Sequence, residues 1–210
     1  MSFLSEDFWH ISIEAEKSTR ILYRYVFKDE YGAVVIDGEK HRVLEPASGH
    51  LVVIDTWNSP GEYEYAFYST AFQKVLLGEA KGGKQHKQAS FTHTFKVKAP
   101  LLRTNECVCL LGSTGELKNW NAEEAILLQK EGEWWKAGVD LSKARFPIAY
   151  KYGVYHTRKK EFLHFELGNN RMLHLNQFPD QETVIHDGLI HLPNTTWKGA
   201  GVAIPVFSLR

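Results

Sequence analysis

The 210-residue sequence has only two cysteines, Cys107 and Cys109, which lie two positions apart. On a strand both side chains point to the same face, a geometry in which a disulfide does not readily close. A metal pair is the alternative, but two small core residues in a reducing compartment account better for two thiols. The N-terminus lacks the charged and apolar segments of a signal peptide. We therefore expect a cytoplasmic protein.

The sequence also lacks an excess of charge of either sign, because 25 basic residues balance 25 acidic ones. Binding to nucleic acid or to an anionic membrane surface requires a basic patch. The basic run at residues 158–160 is too short for this, and no apolar run reaches membrane length. We therefore expect neither nucleic acid nor a membrane as a partner.

Familiar catalytic patterns are missing as well. The ten histidines show no zinc spacing such as His-Glu-x-x-His, and neither a Gly-x-Ser-x-Gly motif nor a phosphate-binding loop occurs. Glu123 and Glu124 are adjacent, whereas the paired carboxylates of a glycosidase face each other across a cleft. We predict no catalytic residues, no metal site and no cofactor.

Aromatic residues, in contrast, make up 13% of the sequence. Short segments that alternate apolar and polar residues run from residue 90 to about residue 175, and Phe91, His93, Phe95 and Val97 show the alternation clearly. A density of roughly six or seven short strands in one domain is typical of an antiparallel β-sandwich. Residues 121–130 are the only run with helical character.

An internal repeat organises the chain. Its two copies share the order of aromatic, apolar and basic residues, and they align 7–14 with 133–140, 21–27 with 148–154, and 40–44 with 169–173. Residues 1–58 thus resemble only the C-terminal half of the unit that is whole at 90–176. Half a sandwich leaves an unpaired sheet edge and an uncovered apolar face. The chain either begins inside a domain or carries a degenerate copy; we favour truncation and expect self-association through the exposed ends.

These patterns divide the chain into four parts. Residues 1–58 are predicted to be an incomplete first β module, 59–89 a connector, and 90–176 a complete, all-β, immunoglobulin-like sandwich. Residues 177–210 begin with a polar stretch and turn apolar toward their end. We expect this last part to be a linker followed by the first residues of another domain.

A group of aromatic and polar residues in the complete module indicates sugar binding. A glucan offers apolar ring faces, which aromatic side chains match, and hydroxyls, which amides, carboxylates and lysine bind. Trp120 follows a turn-rich stretch that would hold its indole away from the sandwich; a packed core position is the alternative. We expect Lys151, Glu166 and Asn170, which lie on strands or turns, to converge there.

These residues resemble the starch-binding domain of carbohydrate-binding module family 20. The resemblance covers about residues 90–175 and is carried by 111–113, 117–120, 134–135, 150–152 and 166–171. It implies that Trp120 and Phe165 form the stacking platform, although the family has a tryptophan at the second position. The family also has glycine where this chain has Lys118.

The same resemblance implies that Lys151, Glu166 and Asn170 are the polar contacts of the first sugar site. It places Trp135 where the family often has an aromatic residue of a second sugar site, whereas an alternating strand would bury Trp135 in the core. We expect Arg171 to be an ion-pair partner within the fold rather than a sugar contact.

The two ends of the chain carry further indications. The first copy has Asp37 and Gly38 in place of the aromatic–glutamate pair and no counterpart of Trp120, so we predict no site there. Residues 197–210 resemble the start of the catalytic barrel of glycoside hydrolase family 77, the 4-α-glucanotransferases. The catalytic acids of that family lie beyond residue 210, so none is carried over.

The sequence therefore predicts the non-catalytic region of a 4-α-glucanotransferase that binds α-glucan, such as starch, glycogen or maltooligosaccharides. The alternative is a β-sandwich that serves as a spacer or protein-interaction module and has no sugar site.

Overall fold

The computed structural model describes residues 1–5, 8–16, 19–37, 41–45, 51–57, 91–99, 101–174 and 182–193. The predicted connector, residues 59–89, and residues 197–210, which resemble the start of a catalytic barrel, lie outside these ranges. Among the residues that are described, no helix has the length and apolar character needed to cross a membrane.

The described N-terminal residues form short strands that pair mostly as two-stranded antiparallel ribbons. The strands are β1 (Ser2–Ser5), β2 (Phe8–His10), β3 (Ile21–Tyr23), β4 (Val26–Lys28), β5 (Val34–Ile36), β6 (Arg42–Leu44) and β7 (Leu51–Asp55). The ribbons are β1–β2, β3–β6 and β4–β5, whereas β7 joins a larger sheet.

Two five-stranded sheets form the predicted sandwich. Their remaining strands are β8 (His93–Lys98), β9 (Glu106–Gly112), β10 (Ile126–Leu127), β11 (Gln129–Glu131), β12 (Trp134–Val139), β13 (Ile148–His156), β14 (Glu161–Phe165), β15 (Arg171–Leu173) and β16 (Glu182–Leu189). One sheet has the order β10–β9–β13, and both β14 and β15 pair with β13; the other has the order β11–β12–β8–β16–β7. The all-β fold class is confirmed.

The core between the sheets is built by residues that alternate along the strands. On β8, His93, Phe95 and Val97 are buried, while the residues between them are half-buried. Trp135 on β12 and Tyr152 on β13 belong to the same buried cluster as Phe95 and Val97. Because burial of apolar surface is the main stabilising contribution to folding, the alternation identifies the residues that hold the sandwich together.

The strand β16 corrects the predicted domain boundary. We expected residues 177–210 to be a linker and the start of another domain, but β16 lies inside the second sheet and pairs in parallel with both β8 and β7. The linker was predicted from the polar stretch 177–183, yet Thr183 is buried, and so are His186 and Asp187 farther along the strand. A strand between two neighbours with both faces covered has no alternating pattern to reveal it.

A buried polar network connects the two sheets. The Asp187 carboxylate on β16 accepts hydrogen bonds from the hydroxyls of Tyr150 (3.0 Å) and Tyr152 (2.8 Å) on β13. Arg171 on β15 donates to Asp187 (3.2 Å) and to both carboxylate oxygens of Glu166 (2.9 and 2.8 Å). Burial raises the pKa of Asp187, and the Arg171 charge opposes that shift. Buried carboxylates are tolerated only when they are paired in this way.

The first copy of the repeat contains the same network. The Asp55 carboxylate on β7 accepts hydrogen bonds from Tyr23 (2.6 Å), Tyr25 (2.8 Å) and Arg42 (2.7 Å). Arg42 also donates two bonds to Asp37 (3.0 and 2.7 Å), and its guanidinium lies 5.4 Å from the Tyr25 ring centroid. The corresponding arginine–tyrosine distance in the second copy is also 5.4 Å. The repeat therefore extends to β7 and β16, beyond the part that the sequence alignment reached.

The two copies meet where β7 and β16 lie side by side in parallel. In this pairing Asp55 is opposite His186, not opposite its own counterpart Asp187, and the Nδ1 atom of His186 lies 2.7 Å from an Asp55 oxygen. The amide of Thr56 donates to the His186 carbonyl. Burial by itself raises the pKa of Asp55. The hydrogen bond with His186 and the charge of Arg42 outweigh burial and lower this pKa to about 2. The contact between the copies is therefore a buried hydrogen bond between the Asp55 carboxylate and the His186 imidazole.

An apolar surface remains uncovered on the described part of the first copy. Each of the following side chains is more than half exposed: Trp9, Ile11, Ile13, Leu22, Val26, Phe27, Tyr31 and Val34. In the second copy the counterpart of Phe27 is Val154, which is 1% exposed. The first copy thus presents to solvent what the second copy buries.

The two cysteines lie on β9. Both are free and buried, as predicted. Burial raises the pKa of the Cys107 thiol to about 11 and raises that of Cys109 as well, so both thiols are protonated at neutral pH.

Candidate functional site

The loop that carries Trp120 begins where β9 ends at Gly112. Leu117 is fully buried, and a Cβ on Gly112 would lie 2.6 Å from a Leu117 methyl, so the glycine lets the loop pack directly on the strand. The 3-10 segment Gly115–Trp120 then turns sharply. Lys118, Asn119 and Trp120 have φ values of 68°, 46° and 62°. Three successive non-glycine residues in the left-handed region indicate strain, and such strain is concentrated at functional sites.

The structure brings together Trp120 and Phe165, the two residues that the resemblance assigns to the stacking platform. Their ring centroids lie 6.2 Å apart with an interplanar angle of 78°. Both residues are half-buried, so part of each ring remains accessible. Two accessible rings at a steep angle form an angled apolar surface at the outer face of the first sheet.

Lys151 lies on β13 two residues from Gly153, which pairs with Phe165. Its ammonium donates a 2.6 Å hydrogen bond to the Gly168 carbonyl. An ammonium has three donors, so two remain for other partners. Gly168 has a φ of 88°, which allows the tight turn between β14 and β15, and Asn170 in this turn is exposed. Lys151 thus holds the turn that presents Asn170.

Glu166 differs from our prediction because the structure buries it. The residue is 5% exposed, and Oε1 accepts hydrogen bonds from the Tyr152 amide (3.1 Å) and Arg171, while Oε2 accepts a second bond from Arg171. With both oxygens engaged, the carboxylate is not presented to solvent. Arg171 has the structural ion-pair role that the sequence suggested.

Trp135 also differs from the predicted role in a second sugar site. It is 1% exposed and belongs to the core cluster. This agrees with the alternative prediction, in which the alternating strand buries Trp135. Its neighbour Trp134 points the other way: the Lys98 ammonium lies 5.0 Å from its ring centroid, and the His186 ring lies 5.4 Å away. A fully buried indole has no face for a ligand.

Sequence reasoning missed Phe162. Its ring centroid lies 4.6 Å from that of Phe165, so it adjoins the aromatic surface. Strict alternation places residues 162 and 165 on opposite faces of a strand, so the alternating pattern does not indicate a contact between their rings. Among the described residues, no group of three or more His, Cys, Asp or Glu side chains is arranged to hold a metal ion.

A β-sandwich with partly exposed rings and adjacent polar groups on one sheet face has the architecture of a carbohydrate-binding module. Residues 90–185 match the family model of the starch binding domain. This part of the chain is therefore similar to the starch binding domains of carbohydrate-binding module family 20. The match reaches into β16, in agreement with the corrected boundary.

A curated relative matches nearly the whole chain. The rice (Oryza sativa subsp. japonica) 4-alpha-glucanotransferase DPE2 is 28% identical over 225 residues, which cover 98% of this chain and 23% of the rice protein. The chain therefore spans about a quarter of the length of this relative.

Two solved structures show a partial similarity to this chain, each with a TM-score below 0.5. The Hypocrea jecorina glucoamylase has a TM-score of 0.40 and 18% identity, covering 47% of this chain and 17% of its own. The family 20 module of the maltotetraose-forming amylase from Pseudomonas saccharophila STB07 has a TM-score of 0.37 and 14% identity, covering 44% of this chain and 97% of its own.

Proposed function

We propose that the starch binding domain of this chain binds α-glucan through the angled surface formed by Trp120 and Phe165. The observation that carries the proposal is the contact between these two rings within a segment that matches the starch binding domain. The rings stack on the apolar faces of glucosyl units, since stacked and edge-on contacts with aromatic rings stabilise such faces. Soluble starch, glycogen and maltooligosaccharides present these faces.

Lys151 and Asn170 supply the polar contacts in this proposal. The remaining donors of the Lys151 ammonium and the exposed amide of Asn170 bind sugar hydroxyls at the edge of the rings. Glu166 acts indirectly, because its two oxygens hold Arg171 and the Tyr152 amide and thereby fix the turn that carries Asn170. Directional contacts of this kind set the orientation of the glucan on the rings.

Affinity gel electrophoresis with soluble starch tests the proposal. The protein is expected to be retarded by starch, and Trp120→Ala should weaken binding by at least about tenfold, because buried tryptophan contacts dominate binding energies. Trp57→Ala is a matched control, since Trp57 is 42% exposed and lies in the first copy. Mobility that starch does not change, and that Trp120→Ala does not affect, would contradict the proposal.

The chain itself is proposed to be non-catalytic and to belong to a 4-α-glucanotransferase, on the strength of its similarity to the rice enzyme. In such a protein a binding module raises the local glucan concentration at the active site without taking part in chemistry. Release of glucose from maltotriose by this polypeptide would contradict the assignment. A cytoplasmic location is part of the same proposal, supported by the two free thiols.

A second candidate function is binding to another protein or serving as a spacer. The exposed apolar side chains of the first copy favour it, because large uncovered apolar patches mark interaction surfaces. Crystals soaked with maltoheptaose distinguish the two: density over Trp120 and Phe165 supports glucan binding, and its absence there supports the second candidate.

A further inference from the structure

The strand β14 contains a β-bulge next to the aromatic surface. His164 pairs with Val154 and Phe162 pairs with Tyr155, so two neighbouring residues of β13 face β14 residues that are two positions apart. Leu163 is the extra residue. A bulge of this kind changes the phase of a strand and redirects the side chains beyond it. It turns Phe162 onto the face that carries Phe165, which explains how residues three positions apart have ring centroids separated by 4.6 Å.

Gly153 on β13 makes room for the redirected ring. A Cβ at Gly153 would lie 2.5 Å from the Cε2 atom of Phe162, closer than real Cβ contacts, and 3.1 Å from its Cζ atom, closer than most of them. The Phe162 ring therefore lies directly on the β13 backbone, beside the residue that pairs with Phe165. The bulge at Leu163 and the missing Cβ at Gly153 are separate features, and both allow the Phe162 ring to lie beside Phe165.

We propose that Phe162 is a third ring of the glucan-binding surface, which then runs from Trp120 over Phe165 to Phe162. The inference rests on the proposed function, because it extends the same site. Neighbouring ring centroids in this row are 6.2 and 4.6 Å apart. A row of three rings is longer than one hexose ring and contacts successive glucosyl units of one chain. Phe162 thus supplies apolar area next to Phe165, whose ring is smaller than an indole.

The length of the bound oligosaccharide separates a direct contact from mere support of Phe165. Isothermal titration of the full chain with maltotriose and with maltoheptaose gives two affinities for each variant. Phe162→Leu keeps an apolar side chain of similar size but removes the ring. We expect it to weaken maltoheptaose binding by about two- to tenfold, the range of a single aromatic contact, and maltotriose binding much less. Phe162→Tyr should behave like the wild type.

Two further variants complete the design. Leu163→Ala is the control, because Leu163 is the neighbouring bulge residue and is 36% exposed; both affinities should stay unchanged. Gly153→Ala displaces the Phe162 ring without removing an aromatic residue, and it should reproduce the selective loss for maltoheptaose. This variant decides the question if Phe162→Leu does not fold.

The outcomes separate this inference from the proposed function. If Trp120→Ala keeps both affinities, the proposed site itself is wrong. If Trp120→Ala loses binding while Phe162→Leu keeps both affinities, or lowers both equally, Phe162 is not a contact of its own and the inference is overturned. Selective loss of maltoheptaose binding supports it.

Discussion

Lys118 occupies a backbone position that suits glycine better than lysine. Its φ of 68° lies in the left-handed region, where a Cβ costs about 1–2 kcal/mol. The resemblance to family 20 indicated glycine at this place, and the structure shows why a residue without a Cβ fits there. The lysine leaves the loop intact but strained.

Lys118→Gly is therefore expected to raise the free energy of unfolding by about 1 kcal/mol, since it removes the strain. Urea denaturation followed by tryptophan fluorescence measures the change. Lys143→Gly serves as control, because Lys143 is exposed and has no positive φ; it should lower stability slightly. A loss of stability in Lys118→Gly as large as in the control would contradict the argument.

His93 gives the sandwich a pH dependence of its own. The residue is 1% exposed, and burial lowers its pKa to about 4, although Asp140 opposes the shift. Between about pH 6.5 and pH 4 the unfolded chain binds a proton at this histidine that the folded chain does not. Stability is therefore lost as the pH falls through this window, by roughly 3 kcal/mol if the whole shift is realised.

Thermal melts between pH 7 and pH 4 test this expectation. The melting temperature of the wild type should decrease across the window, and His93→Gln should flatten the decrease, because glutamine takes up no proton. His41→Gln, at an exposed histidine, should leave the profile as it is. A His93→Gln profile parallel to that of the wild type would contradict the assignment.

At the scale of elements, the two polar networks, one in each copy, differ in the partners of their buried carboxylates and in the strands that surround them. Arg171 is the only cation that the described structure places against both Glu166 and Asp187. In the first copy, Asp55 has His186 as a partner in addition to Arg42 and the two tyrosines, and the strands that carry Arg42 and the tyrosine Tyr23 form a two-stranded ribbon rather than a sandwich sheet. Loss of the arginine should therefore affect the two copies unequally.

Arg171→Met is expected to lower the stability of the sandwich by about 3–5 kcal/mol, because it leaves two buried carboxylates without their cation. Arg42→Met is the matched variant and should change the main unfolding transition much less. Differential scanning calorimetry of both variants provides the comparison. Equal shifts would show that the first-copy network supports the sandwich as strongly as the second.

The sandwich could be predicted from the sequence because most of its strands alternate, as β8 does with Phe95 and Val97. The segment 121–130 was misread as helical, since it forms only the 3-10 turn Ala122–Glu124 followed by β10 and β11. β16 was missed because it is covered on both faces and carries buried polar residues whose partners are remote in sequence. No local pattern records such partners.

The candidate site was predictable to a similar degree. The contact between Trp120 and Phe165 and the structural role of Arg171 followed from the resemblance and from charge. The burial of Glu166 depends on the position of Arg171 and Tyr152 in the folded chain. Phe162 depends on a bulge, and bulges leave no trace in an alternating pattern.

At the scale of the whole molecule, the uncovered surface of the first copy predicts self-association. Leu22, Val26 and Phe27 are each more than half exposed, and apolar patches of this kind promote association. Sedimentation velocity at several concentrations should show a concentration-dependent increase in mass, and Phe27→Ser should reduce it. Leu167→Ser is the control, since Leu167 is equally exposed at 56% but lies in the second copy. A monomer at all concentrations would contradict the prediction.

The parallel pairing of β7 and β16 has a consequence for the number of copies that can be joined. On β16, the Thr183 amide donates to Thr92, just before β8, whereas the His186 carbonyl accepts from Thr56 on the β7 side. Because backbone groups of neighbouring residues point to opposite edges of a strand, Asp187 faces β8. Thr56, directly after β7, faces β16, so its neighbour Asp55, the counterpart of Asp187, faces the opposite edge. In both copies the edge used for the contact is therefore the one opposite to the edge that the buried aspartate faces. This is the arrangement of an isologous contact, except that Asp55 pairs with His186, one residue away from its counterpart Asp187. Isologous contacts are self-complementary, so the two edges that join this pair of modules are both occupied by each other and leave no edge of the same kind for a third module.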